Sequence, residues 1–315
     1  MQLGDLVPAD VSVPAGARTI DITGVTADSR TVEPGCLFVA LAGTTTNGAA
    51  FASDAVARGA VAILAATSAL ISSRVPVART TDPRHALALI AARLHPRQPE
   101  HLVAVTGTIG KTSVVEFTRQ IFAVCGKEAA SVGTLGVVTA RGTVYGTHTT
   151  PDPVAFHATL DRLANSGVTH AAVEASSQGL DQRRVDGLRI EAAAFTNLGR
   201  DHMDYHPTVE AYLAAKLRLF TTLLPPDGTA VIDMDGARSG DVEAAAKKRG
   251  QTLIRVGKAG EEIRLLSVTP DRFRQKLKVR AFGEEREIVL PLAGAFQASN
   301  ALVAAGLAIA TGLPQ

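Results

Sequence analysis

The segment from Leu102 to Val124 constrains this chain most. A continuous apolar run, Leu102 to Val105, leads through Val105-Thr106-Gly107-Thr108-Ile109-Gly110-Lys111-Thr112-Ser113 into a helical pattern from about Lys111 to Val124. Strand, glycine-bearing turn and helix in that order open a doubly wound sheet, with the turn at the carboxyl end of a strand. Glycines let backbone N–H groups approach phosphate oxygens, and the helix N-terminus adds partial positive charge. In such a loop Lys111 reaches the β- and γ-phosphates of a nucleotide, and the Thr112 hydroxyl coordinates Mg2+. The match to the general phosphate-loop pattern is incomplete, because Val105 stands where its first glycine belongs. The chain carries the shortened form G-T-x-G-K-T.

The rest of the chain supports an α/β reading. Further buried-strand candidates, Ala171 to Ala175, Ala192 to Asn197 and Ala230 to Asp233, alternate with helical patterns at Pro153 to Ala164, Val209 to Leu223 and Val242 to Lys248. That alternation predicts a mainly parallel sheet. From Ile263 to Leu292 the pattern changes to alternating runs, Lys276 to Ala281 and Arg286 to Leu290 about a Gly-Glu-Glu turn, which predicts an antiparallel addition; a last helix, Gln297 to Ala310, follows. Upstream, Leu37 to Leu41, Val61 to Leu64 and Val75 to Ala78 are short apolar runs beside the helical pattern Arg84 to Leu94, which reads as a smaller α/β domain. Two prolines among polar residues at His95 to Glu100 mark the junction. We therefore expect domains at 1–98 and 99–315.

Bulk properties narrow the function classes. At 315 residues the chain exceeds the usual size of one hydrophobic core. Its 32 basic and 30 acidic residues are too evenly balanced for a main partner that is a nucleic acid or an anionic membrane. Cys36 and Cys125, far apart and without a second ligand type nearby, suggest buried thiols in a reducing compartment. The first residues carry Asp5 and Asp10 and no basic residue before an apolar run, unlike a secretory signal, and Ala301 to Leu313 is too short to span a bilayer. A cytoplasmic protein is expected.

Two more segments carry chemistry. Glu174, in Glu174-Ala175-Ser176-Ser177-Gln178-Gly179-Leu180, ends an apolar strand, where a carboxylate faces the crevice in which doubly wound sheets bind ligands. It could hold Mg2+ there, or equally cap the following turn. The run Thr196 to His206 packs Asn197, Asp201, His202, Asp204 and His206 into one loop, a density that requires solvent, partners or a metal. Lys216 lies in a helical pattern, where a lysine is ordinarily a solvated side chain.

Taken in order, Gly-Thr-x-Gly-Lys-Thr, Glu-Ala-Ser-Ser, Thr-Asn-Leu-x-Arg-Asp-His-x-Asp-Tyr-His, Ala-Ala-Lys and Gly-Ala-Phe-x-x-Ser-Asn-Ala resemble the Mur ligase family. Thr26-Ala27-Asp28-Ser29-Arg30 and Pro34 to Ala40 are similar to the uridine-nucleotide domain of its MurE branch. The resemblance spans essentially the whole chain. It implies an ATP- and Mg2+-dependent ligase that adds an amino acid, with meso-diaminopimelate as the expected cosubstrate, to UDP-N-acetylmuramoyl-L-alanyl-D-glutamate through an acyl phosphate. It also implies a cytoplasmic monomer active in peptidoglycan biosynthesis.

Carried residue by residue, the resemblance places Thr106, Gly107, Thr108, Ile109, Gly110, Lys111, Thr112, Ser113 and Asn300 at the nucleotide. Thr112, Glu174, His202 and Lys216 fall at the metal, with Lys216 as the lysine that the family carbamylates. Lys111, Glu174, His202 and Lys216 are then the catalytic set. Ser29 and Arg30 fall at the uridine, and Thr149, Thr150, Ser176 and Arg184 at the muramoyl-peptide. Departures stand at Ile109 (usually small and polar), Gln178 (often His), Asp233 (often Asn) and Asn47 (usually Asp). The family's third, C-terminal domain, which receives the amino acid, is expected beyond Gln315. The alternatives are a folylpolyglutamate synthase-like ligase, which normally lacks the uridine-type domain, and a non-catalytic nucleotide-binding module.

Overall fold

Two separate sheets organise the chain in the computed structural model, which describes every residue except Thr44, Thr45, Thr147, His202 and Gln315. One unit comprises Met1–Arg97, Asp152–Asp161 and Gln182–Gly187; the other comprises Gln98–Pro151, Arg162–Asp181 and Leu188–Gln315. A single linear cut after residue 98 does not foresee the two later segments that belong with the first unit.

The first unit runs α1 (Leu3–Leu6), β1 (Gly24–Thr26), β2 (Cys36–Ala40), α2 (Ala52–Ala57), β3 (Ala62–Ala66), β4 (Val77–Thr80) and α3 (Pro83–Leu94). Its four strands pair in parallel in the order β1-β2-β3-β4. Every β2 side chain is buried, because alternation sends Leu37 and Val39 into one core with Leu87 and Ile90 of α3, and Phe38 and Ala40 into another with Ala52 and Ala55 of α2. Each large apolar side chain so buried contributes about 1.5–3 kcal/mol. α3 begins at Pro83 because Asp82 caps it, accepting the His85 N–H at 3.0 Å.

The second unit continues with β5 (His101–Thr106), α4 (Lys111–Val124), β6 (Ala129–Gly133), β7 (Gly136–Thr139), β8 (Gly142–Val144), α5 (Pro153–Asn165), which starts in a segment of the first unit, and β9 (His170–Glu174). There follow α6 (Ser177–Asp181), β10 (Ala192–Phe195), α7 (Val209–Arg218), β11 (Thr229–Asp233), α8 (Ser239–Arg249), β12 (Thr252–Gly257), β13 (Ile263–Asp271), β14 (Arg274–Ala281), β15 (Glu284–Leu290) and α9 (Ala295–Ala310). The sheet order is β15-β14-β13-β12-β11-β10-β5-β9-β6-β7-β8, parallel from β13 to β6 and antiparallel at both ends. The expected mainly parallel sheet with an antiparallel addition is therefore present, with a second antiparallel extension at β7 and β8 that the sequence pattern did not reveal. The β14–β15 turn falls at Phe282–Gly283 rather than Gly-Glu-Glu: Phe282 and Gly283 both take positive φ, which leaves Glu284 and Glu285 free to pair in β15.

Central β5 lies between β9 and β10. After β5 the chain builds towards β6, and after β10 it builds towards β12, so the strand order reverses beside β5. A crevice opens at the carboxyl ends of strands at such a switch point. α4 and α9 pack together over the sheet through Val114, Val115, Phe122, Leu302, Val303 and Leu307.

Candidate functional site

The loop after β5 is shaped by its neighbours before any ligand arrives. Gly107 has φ 145°, and a Cβ there would collide with Thr196 Oγ1; Gly110 has φ 94°, and a Cβ there would collide with Asn300 Oδ1. Both glycines are required by close approach as well as by backbone angle. The Thr196 hydroxyl and the Asn197 amide donate to the Ile109 carbonyl at 2.7 and 3.0 Å. Asn197 Oδ1 accepts the Ile109 N–H at 3.1 Å, and its backbone carbonyl accepts the Thr108 N–H at 2.9 Å. Thr108 Oγ1 accepts the Gly199 N–H at 2.8 Å and shares a 3.1 Å hydrogen bond with the Tyr212 hydroxyl.

This clasp decides which donors face an anion. Thr108 and Ile109 have spent their N–H groups on Asn197. The first-turn N–H groups of α4, on Lys111, Thr112 and Ser113, are those a helix leaves without intrahelical partners. Ile109 projects to solvent, 70% exposed, so replacing a small polar residue there leaves the loop's internal hydrogen bonds intact. Thr106 is fully buried at the end of β5.

Lys111 folds back over the loop, donating to the carbonyls of Gly107 and Thr108 at 2.9 Å each. Burial lowers its pKa, against the pull of Glu174 and Asp201. Lys216 is the more unusual lysine. It is 1% exposed, donates to the Gly107 carbonyl at 2.6 Å and holds its Nζ 4.4 Å from the Tyr212 ring centroid. Burial, reinforced by repulsion from Lys111, pushes its pKa down to about 6, so the amine is largely uncharged at neutral pH. Sequence reasoning alone treats a helical lysine as solvated, and the fold overrides that default.

Glu174 sits at the carboxyl end of β9 and is 1% exposed. Its Oε1 accepts the Thr134 N–H at 2.8 Å and its Oε2 accepts the Thr134 hydroxyl at 3.3 Å, with the Thr112 hydroxyl close by. Burial raises its pKa, while these donors and Lys111 oppose the shift. Gly133 is obligatory here because a Cβ would strike the carboxylate. Next to Glu174, Thr150 Oγ1 donates to its backbone carbonyl at 2.9 Å and meets Ser176 Oγ at 3.0 Å, and the Thr149 hydroxyl meets that of Thr134 at 3.0 Å.

The second unit thus brings together the phosphate loop, Glu174, Lys216, Asn300, Thr149, Thr150 and Ser176. His202 lies outside the described residues. Ser29 and Arg30 belong to the first unit, on a cavity of about 530 Å3 lined also by Ala27, Asp28, Phe51 and Arg58. There Asp28 caps the Ser29–Thr31 turn and pairs with the Arg30 guanidinium at 2.7 Å, which holds the Asp28 carboxyl down at about 2. Arg184 lies in the Gln182–Gly187 segment of that unit. Sequence reasoning missed Thr134, Asn197 and Tyr212 as supports of the site. Asn197 and Tyr212 lie in or near segments it had singled out, but nothing in their spacing marks them as partners of the loop.

A hard cation takes oxygen ligands. Among the described residues no three His, Cys, Asp or Glu side chains converge to hold a metal. Glu174 beside the Thr112 hydroxyl supplies two oxygen donors of the kind Mg2+ accepts.

A strand-loop-helix phosphate cradle at the switch point of a parallel sheet, with a buried acid, a buried lysine and a partly buried one, makes this a phosphate-loop α/β protein. More specifically, the chain belongs to the Mur ligase family: residues 105–308 match the Mur ligase middle domain, and residues 21–95 match the domain described as Mur ligase family, catalytic domain. It is 54% identical, over 99% of its length, to the UDP-N-acetylmuramoyl-L-alanyl-D-glutamate--2,6-diaminopimelate ligase of Bradyrhizobium diazoefficiens, of which it spans 65%. It is 53% identical, over 92% of its length, to the ligase of the same name from Caulobacter vibrioides, of which it spans 61%. The chain therefore covers less than two thirds of these relatives. A solved structure of a ligase of that name superposes with TM-score 0.89 at 27% identity, covering 100% of this chain and 64% of that one. The folylpolyglutamate synthase of Mycobacterium tuberculosis shares the fold over 73% of this chain, with TM-score 0.59 and 19% identity.

Proposed function

We propose that this chain is the sugar-nucleotide- and ATP-binding part of an amide ligase that joins 2,6-diaminopimelate to UDP-N-acetylmuramoyl-L-alanyl-D-glutamate in the cytoplasm. The observation that carries the reading is the burial of Lys216 against the phosphate loop, beside Lys111. An uncharged amine adds to CO2 and releases a proton, becoming a carbamate; a lysine that stays an ammonium would repel a metal instead. The names of the relatives supply the substrates.

In this reading the substrate carboxylate takes the γ-phosphoryl group of ATP, ADP leaves, and the amine nitrogen attacks the acyl carbon as phosphate departs. The first turn of α4 and Lys111 hold the phosphates and offset the charge that builds on the transferring group. Thr112, Glu174 and carbamylated Lys216 would hold Mg2+, which supplies charge neutralisation when bound. Thr134 keeps the Glu174 carboxylate oriented, and Asn197 and Tyr212 keep the loop in shape. Ser29 and Arg30 receive the uridine, and Thr149, Thr150, Ser176 and Arg184 the muramoyl-peptide.

Lys111→Ala tests the nucleotide half directly. Calorimetry on this chain with ATP and Mg2+ should show at least a tenfold weaker affinity for the variant, about the value of one lysine–phosphate contact. Equal affinity would remove this loop from the proposal. For the ligation itself, the chain fused to the part of the Bradyrhizobium relative that it does not cover should release ADP only when sugar nucleotide and diaminopimelate are both supplied.

A further inference from the structure

A cluster of ionisable side chains fastens Gln182–Gly187 to the start of α3, all within the first unit. Asp82 works twice: Oδ1 accepts the His85 N–H at 3.0 Å as the cap of α3, and Oδ2 accepts Arg183 Nε at 2.9 Å. His85 Nδ1 meets Asp186 Oδ2 at 2.6 Å, and the Asp186 carboxylate is 1% exposed. The fully buried His157 donates from Nε2 to the Asp186 carbonyl at 2.9 Å.

The backbone between these anchors is held in an unfavourable shape. Arg183 has φ 61°, a left-handed conformation that a residue with a Cβ adopts at a cost. The Asp186 N–H closes the turn onto the Arg183 carbonyl at 3.1 Å. Gly187 follows at φ 82°, with space for no side chain, since a Cβ would lie 2.9 Å from Ala92 Cβ. Strain of this kind persists where surrounding contacts over-determine the geometry, and it points to a use. Only Arg184 and Val185 lie between the two anchored residues. Val185 is fully buried, which leaves Arg184, half-buried and steadied by Gln182 Oε1 at 2.7 Å, as the side chain the turn presents.

We propose that the His85–Asp186 and Asp82–Arg183 pairs position Arg184 for the UDP-muramoyl-peptide, so that this substrate contact is aimed from the N-terminus of α3. The proposal rests on the ligase reading, which supplies the ligand. Guanidinium contacts to a carboxylate or phosphate depend on the planar fork arriving in one orientation, so a support that fixes the backbone on both sides sets affinity without touching the ligand. His85 and Asp186 are positioning residues and not catalytic ones.

A double-mutant cycle on the intact chain, read by calorimetry with UDP-N-acetylmuramoyl-L-alanyl-D-glutamate and separately with ATP, tests this. Arg184→Ala should weaken the sugar nucleotide about tenfold or more, and His85→Leu about fivefold, with ATP affinity unchanged in both. The double variant should bind no more weakly than Arg184→Ala, because His85 acts through Arg184. His85→Asn, which keeps an N–H donor near the place of Nδ1, should recover most of the loss. Should His85→Leu fail to fold, Asp82→Asn takes its place: asparagine caps a helix as well as aspartate, yet it gives up the charged link to Arg183. Additive losses, or sugar-nucleotide affinity unchanged in His85→Leu while Arg184→Ala loses it, would overturn the positioning role and leave the ligase reading standing. Unchanged affinity in Arg184→Ala overturns the contact and the positioning together. No sugar-nucleotide binding by the unaltered chain would instead remove the ligase reading on which both depend.

Discussion

Lys216 shows how far a single residue's chemistry is set by where the chain puts it. On an exposed helix face its ammonium would be solvated and inert; at 1% exposure, with Lys111 close by, the charge is expelled and a nucleophilic amine remains. The free amine carries no anionic oxygen, whereas a carbamate does, so the proposed function requires the modified form. In the fusion protein described above, Lys216→Ala should abolish ligation while leaving the melting temperature of the fold near that of the parent. A short-chain carboxylic acid, seated in the space the side chain vacates, should restore part of the activity. Full turnover in Lys216→Ala, or an unmodified Lys216 in a Mg2+-bound crystal grown with bicarbonate, would refute the role. The identity of this lysine was legible only through its place in a run of motifs. The helical pattern around it does not by itself predict burial, because the side chain is enclosed by the phosphate loop, about a hundred residues away in sequence, where it donates to the Gly107 carbonyl.

At the scale of elements, the parallel core was legible because buried central strands are uninterrupted apolar runs: β5, β9, β10 and β11 are each buried along most of their length. β7 and β8 were not legible, since Gly136–Thr139 and Gly142–Val144 are short, partly or wholly exposed and carry no apolar alternation. The helix read as Val209 to Leu223 is α7 to Arg218 followed by a π turn over Leu219–Leu223. A widened turn leaves carbonyls to be satisfied from elsewhere, and Gln251 Nε2 donates to Phe220 and Leu224 at 2.9 Å each while Arg249 donates to Thr221 and Leu224. Such partners lie beyond the reach of a local pattern.

β9 also carries a titration. The ring of His170, 3% exposed, lies 4.3 Å from that of His101 at a tilt and 4.9 Å from that of Phe122 edge-on, and burial together with His101 and Lys127 holds its pKa at about 4. Its folded-state pKa lies below the unfolded value near 6.5, so the unfolded chain binds the extra proton first. The stabilisation is complete above pH 6.5 and is lost as pH falls towards 4, at up to about 1.4 kcal/mol per pH unit. Urea unfolding between pH 4 and 7 should therefore show a shallower slope for His170→Gln than for the parent. Identical slopes would show that His170 contributes nothing to acid sensitivity.

Across the whole molecule, the two units each hold their own sheet and core, and the proposed ligand contacts divide between them. The phosphate loop with Glu174, Lys216 and Asn300 belongs to one, and the cavity at Ser29 and Arg30 belongs to the other. The sequence signalled this division through the prolines near residue 98, but it could not reveal that Gln182–Gly187 returns to the first unit, because that membership is made by ion pairs about a hundred residues apart in sequence. If the uridine end is held by the first unit and ATP by the second, the two affinities are separable. Ser29→Ala should weaken UDP-N-acetylmuramoyl-L-alanyl-D-glutamate several-fold, about one lost hydrogen bond, and leave ATP binding within error of the parent. Lys111→Ala should do the reverse. Ser29 borders its cavity without contributing to the buried core of its unit, so the variant should also melt with the parent. A common fall in both affinities, with no change in melting temperature, would mean that the ligands communicate through the chain and that the assignment of the uridine to the first unit and of ATP to the second is wrong.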